Sequence, residues 1–194
     1  MLIVNKVVFS IIFTTITLTS QTITASENSQ ATKNQDLSNK AKKEVDSRIE
    51  ISNESKQKLI KLLEENEGLH DAFYNYKEEN IEKVIKKTET MITAITKALD
   101  KIEKNLKADL IYGRSNLEKI SSKAKKSENY NHYNAFSTSM IKILTTYNLG
   151  DTYNVYSCPM VKKKWIQNSK TLSKVHNPYA PSMPHCGVQD TYFL

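Results

Sequence analysis

Along the chain, apolar residues recur at helical spacing in four stretches, and the texture changes sharply after Gly150. The first stretch begins near Ser55. Leu59, Leu62, Leu63, Leu69, Phe73 and Tyr76 fall near one helical face, with Gly68 as an interruption. The second is the most regular: Ile81, Val84 or Ile85, Thr88, Ile92, Ile95, Leu99, Ile102 and Leu106 repeat in alternating steps of three and four, with Lys and Glu between them. That pattern predicts one long amphipathic helix with a narrow apolar stripe. Tyr112-Gly113-Arg114 reads as its end. Ser115 and Glu118 then have capping-box spacing, which opens a short helix through Leu117, Ile120 and Ala124. A fourth helix is predicted from about Ser127 to Asn148, with Tyr133, Phe136, Met140, Leu144 and Tyr147 inward and Leu149-Gly150-Asp151 closing it.

Four such segments with short links predict an all-α fold, an antiparallel four-helix bundle over residues 53–149. Residues 150–194 are expected to pack on the bundle as an irregular loop region, in which the alternation at 152–157 can form a short strand. Residues 1–25 read as a secretory signal peptide: a short n-region ending at Lys6, an apolar run from Val7 to Leu18, and small residues around Ala25 for cleavage. Residues 26–52 are polar, with too few apolar side chains to offset their ordering entropy, and are expected to be a flexible leader. The mature protein is therefore expected to be periplasmic or secreted, and not an integral membrane protein.

Charge changes this picture little. The formal net charge is +7, but the lysines are interleaved with Glu and Asp along the helices, so they read as a solvated helix surface. Nucleic acid is not expected as a partner. A di-iron bundle would need two inward Glu-x-x-His pairs, whereas the helices hold a single Glu-x-x-His, Glu67 to His70, and His70 and His132 read as isolated surface or boundary residues.

The chemistry concentrates after Gly150, which holds all four prolines, both cysteines and the only tryptophan. Two clusters stand out there, Cys158-Pro159-Met160 and Met183-Pro184-His185-Cys186-Gly187. Thiolate and thioether are soft donors that select Cu(I) over hard cations, and Ag(I) is similar. Cys158, Met160, Met183 and Cys186 together would make an all-sulfur set, with His185 as an alternative donor and Trp165 or Tyr179 as a shield from water. The competing reading is a Cys158–Cys186 disulfide, closing a loop of about 29 residues and contributing roughly 3–4 kcal/mol. The methionines would then be packing residues. A disulfide as the metal-free resting state would reconcile the two. His176 reads as a solvent-exposed loop residue, and Asn177-Pro178-Tyr179 as a turn in which Asn binds its own backbone. No Cys-x-x-Cys, phosphate loop or recognisable base is present, so an enzyme is not expected.

Taken together, Cys158-Pro159-Met160, Trp165, Asn177-Pro178-Tyr179, Met183 and Cys186-Gly187 resemble the C-terminal signature of a family of exported helical domains of uncharacterised function. Those domains occur alone or appended to copper/silver efflux adaptor subunits. Ala180-Pro181 stands where the family commonly has Gly. The resemblance implies a four-helix fold, an extracytoplasmic location and a role in binding copper or related soft metals, with Cys158, Met160, Met183 and Cys186 as ligands. The expected function is a Cu(I)/Ag(I) binder that buffers metal or hands it to an efflux adaptor. The alternative is a disulfide-stapled helical module for protein–protein interaction in the cell envelope.

Overall fold

A computed structural model of the chain describes residues 47–193. The signal segment and most of the polar leader lie outside the described residues. Among the described residues there are four α-helices: α1 (Asn53–Tyr74), α2 (Ile81–Leu99), α3 (Lys104–Leu117) and α4 (Lys126–Thr146). Three strands follow, β1 (Tyr153–Cys158), β2 (Lys163–Asn168) and β3 (Val188–Gln189). They form one antiparallel sheet in the order β2-β1-β3. The all-α expectation is thereby corrected to a mixed fold, a helical core with a sheet built from the segment expected to be irregular.

The helices form where the apolar periodicity lies, and the structure redraws two of their boundaries. Ser52 caps α1 by accepting from the Ser55 N–H at 3.3 Å, and Leu59, Leu62, Leu63, Leu69 and Phe73 are buried along one face. The long stripe from Ile81 to Leu106 is not one helix. It breaks at Asp100 because the start of α1 holds the chain there. The Ser52 N–H donates to Glu103 Oε1 at 2.9 Å, and the Glu103 N–H donates to Ser55 Oγ at 3.3 Å. The break still buries Ile102 and Leu106. Gly113, expected to end a helix, lies inside α3. A Cβ there would come within 3.3 Å of Phe136, so glycine serves the close approach of α3 to α4. The expected short helix from Ser115 through Ala124 is absent: α3 runs through Ser115 to Leu117, and turns follow. The Ser115 hydroxyl donates back to the Tyr112 carbonyl, and Glu118 pairs with Arg114 at 3.3 Å. The turn before α4 is closed by the fully buried Asn129, which accepts from the Ser121 N–H and donates to the Ser121 carbonyl and to Tyr76 Oη.

The strand suggested at 152–157 exists as β1, but its pairing was not foreseen. β2 runs beside it in the register Tyr153↔Asn168 through Cys158↔Lys163, which sets Tyr156 opposite Trp165 with ring centroids 6.2 Å apart. Past β3, Thr191 Oγ1 accepts from the Val155 N–H at 2.9 Å, and Asn154 Oδ1 accepts from the Phe193 N–H, so side chains extend the ladder along β1. Trp165, Tyr179, Tyr133 and Phe73 join the sheet to α4 and α1 in one aromatic core. Glu67 of α1 adds a polar tie, accepting from Tyr153 Oη and from the Asn168 amide.

Both ends of the described chain are clasped together. Ile49 forms a parallel bridge with Tyr147, and the Arg48 guanidinium donates to the Gly150 carbonyl while lying 3.8 Å over the Phe193 ring. Thus the last residues before α1, from Arg48 on, are docked against the fold. No helix among the described residues is long and apolar enough to cross a membrane.

Candidate functional site

Cys158 ends β1 at the mouth of the hairpin with β2. Residues 159–162 make the turn, closed by the Lys162 N–H on the Cys158 carbonyl at 2.9 Å, with Lys162 in the left-handed region at φ 52°. Cys186 arrives from the other direction, on the loop between β2 and β3. Two consecutive turns shape that loop: the Met183 N–H donates to the Ala180 carbonyl at 2.8 Å and the Cys186 N–H to the Met183 carbonyl at 2.9 Å. The prolines fit this geometry, since each removes a donor that a regular element would need.

The two sulfurs meet. Cys158 Sγ and Cys186 Sγ lie 2.8 Å apart as free thiols, Cys158 buried and Cys186 half-buried. Burial opposes ionisation of Cys158. Hydrogen bonds from the Cys186 thiol, the Val161 and Met160 N–H groups and the Asn177 amide outweigh it, holding the Cys158 thiol below its ordinary value. Cys186 is held above its ordinary value, first because it donates to Cys158, then by burial and by repulsion from Cys158.

What brings the thiols together is a set of residues with no metal-ligating chemistry. The Asn177 amide donates to the Cys186 carbonyl at 2.8 Å, and its backbone N–H to the Pro184 carbonyl at 2.8 Å. Its Oδ1 accepts from the Tyr179 N–H at 2.9 Å, the expected turn, and the Tyr179 hydroxyl reaches Ser137 Oγ of α4. Asn177 is thus a latch for the loop that carries Cys186. Gly187 is the second such residue. Its φ is 154°, and a Cβ would stand 2.8 Å from the Trp165 ring and 2.9 Å from the Ser157 carbonyl oxygen. Only glycine lets the segment that leads from Cys186 into β3 lie this close to β1. Trp165 is therefore the wall against which that segment rests, which refines its expected shielding role.

The other expected donors sit at the rim. Met160 is 69% exposed on the hairpin turn and Met183 is 40% exposed on the loop. His185 is exposed, and its Nδ1 lies 2.7 Å from the Val175 carbonyl. A hydrogen bond there requires the Nδ1–H tautomer, which leaves Nε2 as a lone pair for an incoming ion. Among the described residues, no group of three or more His, Cys, Asp or Glu side chains is placed to hold a metal ion. The cysteines are thus brought together while His185 is not gathered with them into a three-donor cluster.

Of the three consecutive lysines after Val161, Lys162 to Lys164, Lys164 is paired with Asp190 at 2.7 Å, and burial lowers the proton affinity of Lys163. His176 is half-buried and stacks on Tyr74 of α1 with centroids 4.6 Å apart, and its ring lies 6.0 Å from that of His185. Beneath it lies His70, which is buried, against expectation, with neither ring nitrogen in a hydrogen bond.

No family model matches this chain, and no curated protein or solved structure shows significant similarity to it.

Proposed function

We propose that the protein is an exported soft-metal binder, in which the Cys158 and Cys186 thiolates hold Cu(I) or Ag(I) and the exposed thioethers of Met160 and Met183 assist entry and hand-over. The observation that carries this reading is the contact of the two thiols at a surface turn flanked by both exposed methionines. The donor set fits a soft monovalent ion. Two thiolates and thioethers suit Cu(I), whereas a structural zinc site needs four N or S donors, and among the described residues no three His, Cys, Asp or Glu side chains gather to hold a metal. Hand-over to a periplasmic efflux adaptor is part of the proposal, and the exposure of Met160 and Met183 at the rim supports it, because exposed ligands are open to a second protein presenting a similar set. Export, and with it a periplasmic or secreted location, is part of the proposal and rests on the signal-like residues 1–25.

The thiol contact also favours a second reading, a disulfide-stapled interaction module. Two thiols already in contact oxidise without moving the chain far. The readings part in one experiment, a competition titration of the reduced protein against a Cu(I) chelator. Wild type is expected to withdraw one equivalent. Cys158→Ser/Cys186→Ser is expected to withdraw none, and Met160→Leu/Met183→Leu to bind at least ~10-fold more weakly, about 1.4 kcal/mol. Exposed Met-to-Leu changes should leave stability within about 1 kcal/mol. Absence of competition by wild type would discard the metal reading and leave the stapled module.

A further inference from the structure

We infer that the Cys158–Cys186 pair is a one-sided thiol–disulfide exchange site, at which an external thiol or disulfide enters only through Cys186 and Cys158 serves as the internal resolving thiol. The inference goes beyond metal binding, since it concerns the pair with no metal present.

Access to the two sulfurs is unequal. Cys158 is 1% exposed, closed in by its own hairpin turn and by the Asn177 side chain, which is itself 1% exposed. Cys186 is half-buried, and it rides on a loop whose neighbouring positions, Met183, His185 and Val188, are exposed. A solvent-borne sulfur therefore meets Cys186 first, and the 2.8 Å contact places Cys158 within reach of whatever forms there. Exchange needs the attacking sulfur to reach the sulfur it bonds to, so the difference in exposure sets the direction of the chemistry.

The steps balance as follows. In the reduced protein Cys186, after its thiol gives its proton to solvent, attacks a small disulfide RSSR, forming Cys186–S–S–R and releasing RS⁻. The Cys158 thiolate then attacks the Cys186 sulfur, closing the intramolecular disulfide and releasing a second RS⁻. Two electrons pass from the protein dithiol to RSSR, and the two thiol protons leave with the two RS⁻ as RSH. In the opposite direction an RS⁻ attacks Cys186, and the electron pair of the broken bond leaves on Cys158. A second RS⁻ then attacks the external sulfur of the mixed disulfide, giving RSSR and the free Cys186 thiolate. The co-reactant is a low-molecular-weight thiol and its disulfide. The same polarity would govern metal loading if the metal reading holds, because only the reduced pair offers two thiolates.

The test uses the single variants Cys158→Ser and Cys186→Ser, each incubated with oxidised glutathione in the presence of a metal chelator, with adducts followed by intact mass. Cys158→Ser is expected to accumulate a mixed disulfide on Cys186 at least ~10-fold faster than Cys186→Ser does on Cys158, the gap closing in denaturant. Equal native rates, or a faster Cys158, would overturn the inference. Because a variant can misfold, the oxidised wild type is also treated with limiting glutathione, alkylated and mapped. Glutathione on Cys186 is expected, whereas glutathione on Cys158, or a wild type that never forms the disulfide, would overturn it. The chelator keeps this outcome separate from the failure of the metal reading.

Discussion

Replacing Gly187 with Ala is expected to cost about 3 kcal/mol of folding stability and to part the two thiols. The added Cβ meets the Trp165 ring at 2.8 Å and the Ser157 carbonyl at 2.9 Å. Neither can yield cheaply. Trp165 is fully buried between Tyr156 and Tyr179, and the Ser157 carbonyl belongs to β1. The segment that leads from Cys186 into β3 must therefore move away, carrying the Cys186 sulfur from Cys158. Chemical denaturation would give the stability loss, and the rate of disulfide formation with a mild oxidant would report the lost thiol contact. Gly150→Ala is the control. It also has positive φ, at 90°, but nothing stands within 4 Å of its Cβ position, so only backbone strain of roughly 1–2 kcal/mol is expected, with the thiol pair untouched. Equal losses for the two variants, or a Gly187→Ala protein that still oxidises as fast as wild type, would remove Gly187 from its positioning role.

The second large effect is acid lability centred on His70. Burial, followed by the charge of the nearby His176, lowers its pKa from 6.5 to about 4, with the His176 backbone and then Asp71 pulling weakly the other way. The unfolded chain takes up this proton near 6.5 and the folded chain only near 4. Between those values the unfolded state holds more protons, so stability falls as pH drops through that window and levels off below it. The loss corresponds to about 3 kcal/mol at the acid end. His176, whose own proton affinity is lowered by burial and by His185, adds in the same direction, while Asp71 opposes both. His70→Leu should flatten much of the fall between pH 6.5 and 4. It should change stability at pH 7 by less than about 1 kcal/mol, because no ring hydrogen bond is lost. Thermal melts across that range would decide. An unchanged acid limb in the variant would mean that other groups drive the unfolding.

The two effects differ in how visible they were before folding. Cys158 and Cys186 were legible as a pair because thiols are rare in this chain and each lies beside a proline and a methionine. Gly187 was legible only as part of a motif. The reason for it, a tryptophan from another strand against its backbone, exists only once β1, β2 and the loop are assembled. His70 was misread as a boundary residue because a helix face gives no sign that a loop from more than a hundred residues onward will cover it. The stacking of His176 on Tyr74 provides that cover.

By itself the sequence determined α1, α4 and the apolar stripe that α2 and the start of α3 share, since a 3.6-residue apolar period needs no partner to be recognised, but not where α3 begins and ends. It also determined that the unusual chemistry falls after Gly150. Tertiary structure alone decided where the long stripe breaks, because two serines at the start of α1 capture Glu103. It alone made a sheet of the C-terminal region, because strand pairing joins residues such as Tyr156 and Gln189 that are distant along the chain and carry little local signal. And it alone set the two sulfurs in contact with one of them hidden, because exposure is a property of how surfaces meet.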